Sequence, residues 1–263
     1  MSGIIRGIWV VGYRELLRFV QERSRLISSF GMPLIFLIVF GAGFGRMIGT
    51  VVPGVDYIQF MYPGILAMTV LMNSLMSGVS IVWDREFGFL KEIMVSPLDR
   101  RGILLGKAAG SATVAIIQGS IMLILAPILG VSITFSMVIK LLPVIFIVSV
   151  AISSLGLLVA SRMKSQQGFQ MVIQLLIMPL IFLAGVFYPV NNVPIVMEVI
   201  SKINPLTYGV DAIRQVFLGS ESAYGTGVTV FGHTMTIMDD VIVVVLLGLA
   251  LMSVAVWSFT RSE

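Results

Sequence analysis

The sequence predicts an all-α integral membrane protein: six transmembrane helices, an N-terminal amphipathic interface helix, a charged helical segment after the second span and two short outer helices before the last. Three observations carry this. Of 263 residues, 57% are hydrophobic and 11% charged, against roughly 45–50% and about 25% in soluble domains. Six stretches without Asp, Glu, Lys or Arg, at 26–45, 57–83, 108–139, 141–161, 165–197 and 241–260, each supply the about 20 apolar residues that cross a bilayer core. Lipid also forces backbone amides to pair within their own segment, and these runs lack the alternation of a closed barrel.

Residues 3–25 place Ile5, Ile8, Trp9, Tyr13, Leu16, Leu17 and Val20 at helical spacing opposite Arg14, Arg18, Gln21 and Glu22. The pattern predicts an amphipathic helix lying in the membrane interface. Arg14, Glu15 and Arg18 interrupt any signal-peptide core, and no small-residue cleavage site follows, so a cleaved leader is not expected. The first span, 26–45, contains Pro33 and ends in Gly41, Gly43 and Gly45; the second fills 58–83.

Residues 84–101 form the densest charged segment, too short and too polar to cross. Phe87, Leu90, Ile93 and Met94 recur every three or four residues with Arg85, Lys91 and Glu92 around them, and Pro97 closes the run. A short helix with one apolar stripe results, suited to grip a partner's groove. The third span, 103–129, starts beside Gly102, Gly106 and Gly110, whose four-residue spacing puts them on one face and lets a neighbouring backbone approach.

The fourth span covers 138–161 and the fifth 168–187. Gln166, Gln170 and Gln174 share one face of the fifth. Lipid penalises buried amides, so that face should meet another helix or line a wet pathway. Gln170 and Gln174, with Asn73 of the second span, are the candidate path residues. Residues 189–219 read as two outer helices dipping into the membrane edge, with Asp211 and Arg214 three apart and able to pair. The last span is 240–259.

Alternating spans put 13 of the 17 Lys and Arg residues on one side and only Arg46, Lys140, Lys202 and Arg214 on the other. The positive-inside rule then places both termini in the cytoplasm of a multi-pass protein of the cell membrane. Orientation and lipid headgroups account for the excess cations, so no nucleic-acid partner is implied.

Catalytic chemistry is not legible. Cysteine is absent, which excludes disulfides and thiolate metal sites. The nearest approach to a phosphate loop, Gly102 to Lys107, has three intervening residues and Ala108 at the hydroxyl position. His233 is the sole histidine and lacks a companion ligand, so no metal is expected. No span shows a central acid or base that would mark a proton relay.

Three features together resemble the membrane subunit of ABC exporters of the type-2 permease family, in the branch of daunorubicin-resistance permeases and nodulation lipo-oligosaccharide exporters. They are the order of interface helix and six spans, the segment from Asp84-Arg85-Glu86-Phe87-Gly88 to Ser96-Pro97-Leu98-Asp99-Arg100, and Asn204-Pro205-Leu206-Thr207-Tyr208-Gly209 with Val210-Asp211-Ala212-Ile213-Arg214. The resemblance implies one permease domain over 1–263, a second permease copy, preferably identical, and a cytoplasmic ATP-binding subunit. It makes 84–101 the coupling helix, with Arg85, Glu86, Phe87, Leu90, Lys91, Ile93 and Met94 as contact residues. ATP and magnesium would sit on the partner, with no cofactor bound by this chain, and the cargo would be an amphiphilic drug, lipid or lipid-linked glycan. The alternatives are a secondary transporter and a non-transporting or sodium-extruding protein of the same topology.

Overall fold

A computed structural model describes residues 3–48, 50–52, 55–88, 99–219, 227–230 and 232–261; at 23–28, 42, 44–48, 50–52, 55, 100 and 192 only the backbone is described. Helix α1 spans Gly3–Gln21 and α2 Arg23–Ile48. A short antiparallel ladder of β1 (Thr50–Val52) and β2 (Val55–Asp56) leads into α3, Tyr57–Leu75. A 3₁₀ turn at Met76–Gly78 joins α3 to α4, Val79–Glu86. Then follow α5 (Arg100–Leu125), α6 (Phe135–Arg162), α7 (Gln166–Phe182), α8 (Ile195–Ile203) and α9 (Pro205–Leu218). The pair β3 (Thr229–Val230) and β4 (His233–Thr234) precedes α10, Ile237–Arg261.

Four helical stretches among the described residues are long and apolar enough to cross a membrane: Tyr57–Glu86, Arg101–Leu129, Phe135–Arg162 and Ile237–Arg261. Two shorter apolar helices, Ser29–Gly41 and Gln166–Phe182, fall where the first and fifth spans were expected. The helix in the fifth span ends at Phe182, and beyond it Gly185 takes φ 74°, a left-handed turn that glycine adopts without penalty.

Local chemistry sets the ends. Asp99 accepts from Arg101 N at 2.8 Å and starts α5, Ser165 accepts from Gly168 N at 3.2 Å and starts α7. Asn204 accepts from Leu206 N at 3.0 Å ahead of Pro205 at the first helical position of α9. Each supplies an acceptor to an orphan amide of a first turn.

Helix α3 is apolar all round and is the central element, with every residue from Phe60 to Leu71 buried. It packs on α2, α5, α6 and α9. Two crossings are made by glycine: a Cβ on Gly78 would lie 2.6 Å from Gly156 O, and one on Gly64 2.9 Å from the Val186 backbone. Backbones meet there without intervening side chains.

Of the two helices expected at the outer edge, α9 has Leu206 through Phe217 all buried against α3, α6 and α10, whereas α8 leaves Ile195, Val196 and Ile203 exposed. Helix α1 packs along α5. Gly102 meets Ile4, Gly106 meets Val11 and Gly110 meets Glu15, so α1 runs in the same direction as α5, in register over three turns. The 29-residue stretch from Arg101 is roughly 44 Å long against a core of about 30 Å, leaving room for this pairing beside the part that overhangs.

Candidate functional site

The residues that the sequence marks for function converge at one end of the bundle, where α4 and α6 end and α5 and α7 begin. Arg85 leaves the last turn of α4 and donates through Nη1 to Ala160 O at 3.1 Å, Ser161 O at 3.4 Å and Met163 O at 2.6 Å. These are terminal carbonyls of α6, the negative end of its dipole. Glu86 Oε2 accepts from Gln166 N at 2.8 Å, the first amide of α7. Trp83 Nε1 donates to Gln166 Oε1, and Arg18 of α1 stands 5.2 Å above the Trp83 ring. Arg14 Nη2 lies 3.7 Å from Asp84 Oδ1.

A second junction lies about one turn deeper. Lys107 Nζ donates to Glu15 Oε1 at 3.0 Å and to Ser80 Oγ, and Ser80 Oγ donates to Glu15 at 3.0 Å. Lys107 is 3% exposed, so its charge requires this partner. Burial alone would raise the Glu15 pKa, but the Lys107 ammonium, the hydrogen bonds from Lys107 and Ser80 and the charge of Arg18 hold it below its ordinary 4.5. Beside the triad, Glu15, Phe19, Asn73, Ser77, Ser111 and Val114 enclose a pocket of about 20 Å³, room for one water.

The structure thus separates the seven expected contact residues. Arg85 and Glu86 turn inward onto the α6–α7 connection, while Phe87 is 63% exposed with its ring 5.6 Å from Trp83, edge on. Leu90, Lys91, Ile93 and Met94 lie outside the described residues. The three path candidates do not share a surface. Asn73 lines the small pocket and donates back to Thr69 O at 3.2 Å, whereas Gln170 and Gln174 stand exposed on α7 beside Met171, Leu175 and Met178. Among the described residues neither amide meets a partner within the chain, so helix packing inside one copy does not explain them.

Sequence reasoning missed Glu15, Ser80 and Lys107. Glu15 was the one available signal: an acid one position round the helix from the polar face, facing a lysine set within a glycine stripe.

The far end holds another cluster. Asp211 Oδ2 accepts from Val228 N at 2.9 Å and from Gln215 Nε2 at 3.2 Å; the same amide donates to Asp240 Oδ2 at 3.0 Å and Met235 O at 3.1 Å. Arg214 donates to Gly185 O at 2.6 Å and stands 4.0 Å over the Phe60 ring. Asp211 and Arg214 stand close enough to feel each other's charge, while their hydrogen bonds go to separate partners on different elements. Asp240 is 0% exposed, in the first turn of α10 and away from its centre. His233 sits 3.2 Å from Asp239, and among the described residues no group of three His, Asp or Glu could hold a metal.

Fold and site define a polytopic α-helical membrane protein whose helices are tied together by charge at one end. The chain belongs to the ABC-2 type transporter family, whose model matches residues 6–218. It is 32% identical over 225 residues to ycf38 of Cyanophora paradoxa, named as a transport permease, covering 84% of this chain and 76% of that protein. It is 31% identical over 198 residues to nodulation protein J of Rhizobium leguminosarum bv. trifolii, covering 74% and 75%. Similarity to YbhR of Escherichia coli K12, named as a multidrug ABC transporter permease, is 30% over 172 residues, 65% of this chain and 46% of that one. The chain is accordingly a transport subunit, a permease. Family membership implies an ATP-binding subunit as partner.

Proposed function

We propose that this permease works as one of two identical copies in an ATP-driven exporter, moving an amphiphilic drug, lipid or lipid-linked glycan out of the cytoplasm across the cell membrane. Six spans cross the bilayer, with Ser29–Gly41 and Gln166–Phe182 in the first and fifth, and both termini stay inside. The ATP-binding partner carries ATP and magnesium and docks on the part of the segment 84–101 that follows Gly88. The observation carrying this reading is the ionic junction at the charged end. It makes the root of that segment mechanically continuous with α1, α6 and α7, as a subunit powered from outside requires. The exposed amides of Gln170 and Gln174 support a second copy or a pathway against α7, because lipid leaves amides unsatisfied.

The test is the double change Leu90→Asp and Ile93→Asp. The variant is expected to insert normally but to lose co-purification of the ATP-binding subunit and transport into inverted vesicles. Retention of both would place docking elsewhere.

A further inference from the structure

We propose that Arg85 and Glu86 do not dock the ATP-binding subunit but act as positioning residues that carry movement of α4 into α7, the helix presenting Gln170 and Gln174; this rests on the coupling role given to the segment that follows them. The three-residue link from Met163 to Ser165 is spanned from outside by a charged fork. Its positive prong, Arg85, holds the carbonyl end of α6 through three acceptors between 2.6 and 3.4 Å. The negative prong, Glu86, holds the amide end of α7 at 2.8 Å. Each prong has the sign opposite to the helix end it meets, and Trp83 adds a third hold on Gln166. Both carriers are consecutive residues on one short helix, so neither helix end can shift relative to the other unless α4 moves with it.

The opposite end of α4 has the shape of a fulcrum. The 3₁₀ turn at Met76–Gly78 breaks the α-helical ladder between α3 and α4, a feature frequent at hinges. At that level Gly78 rests directly on the backbone of Gly156. A push on the chain beyond Gly88 therefore swings α4 about Gly78 and delivers the displacement at Gln166, one turn below Gln170. Glu86 is itself exposed, yet its carboxylate is committed to Gln166, which fits an internal contact at the surface and not a docking contact.

The experiment uses the full chain with its ATP-binding subunit in proteoliposomes. Because the protein has no cysteine, Gln170→Cys supplies a single reporter whose maleimide labelling is followed with and without ATP. Glu86→Gln keeps shape and removes charge; it is expected to retain the partner at wild-type stoichiometry and ATP hydrolysis within about twofold. Transport should fall at least tenfold, and the ATP-dependent change in labelling should vanish. Arg85→Ala should behave alike, with Arg85→Lys restoring part of both signals. Loss of the partner from Glu86→Gln, or an unchanged ATP-dependent labelling signal, would overturn the proposal. The Leu90→Asp and Ile93→Asp variant separates the two readings. If it keeps its partner, the docking assignment fails, while the Glu86→Gln labelling result still decides the fork.

Discussion

Lys107 shows what a membrane protein must do with a charge it cannot expose. Its ammonium is held by one carboxylate and one hydroxyl from two other helices, so removing any member leaves the others uncompensated. Truncating one partner of a buried pair costs about 3–5 kcal/mol. Lys107→Met is thus expected to lower the melting temperature in detergent sharply, and pairing it with Glu15→Leu should recover part of the loss. The acid side of the triad also fixes a pH window. With its folded pKa below 4.5, Glu15 contributes stability that is complete above about pH 4.5 and lost as pH falls through the lower folded value. Hydrogen exchange of residues 3–21 should stay protected from neutrality to that point and rise below it. None of this was legible from residue type. Lys107 reads as a cation at the foot of the third span, and only a third dimension brings Glu15 and Ser80 to it.

At the scale of the element, glycine spacing proved the more readable signal. The four-residue repeat of Gly102, Gly106 and Gly110 predicts a close helix neighbour, and that neighbour is α1. A Cβ at Gly106 would stand 2.9 Å from Val11 Cβ and 3.0 Å from Gly7 O. Gly106→Leu should cost at least the about 1–3 kcal/mol of overpacking and release α1 to limited proteolysis while α6 and α10 remain protected. Hydropathy misled over α9. Asp211, Arg214 and Gln215 lower its apolar score and suggest an exposed helix, yet their partners on Val228, Gly185 and Asp240 let all of it be buried. Polarity was read as a place at the membrane edge where it marked hydrogen bonds to other elements of the bundle.

For the whole molecule, the sequence makes the class plain because the absence of charge over 20-residue windows admits few architectures. Which helix faces what is set by side chains far apart in the chain, and the exposed stripe of Gln170, Met171, Gln174 and Leu175 is left uncovered by the described residues. The homodimer reading makes a direct expectation. A single Gln174→Cys on this cysteine-free background should cross-link two chains through a short bifunctional maleimide, whereas Lys140→Cys, exposed at the start of α6, should not. Absence of the Gln174 product, with the thiol shown to be labelled, would assign the α7 face to something other than a second permease.

The register between α1 and α5 bears on how the protein is made. Residues 3–21 leave the ribosome before α5 does, and the groove of Gly102, Gly106 and Gly110 that receives them is synthesised some eighty residues later. During that interval the nascent helix needs a temporary home, and its exposed Ile5, Trp9, Tyr13 and Leu17 suit a membrane surface. Folding of the N-terminus is therefore a late docking event that completes the bundle and does not initiate it.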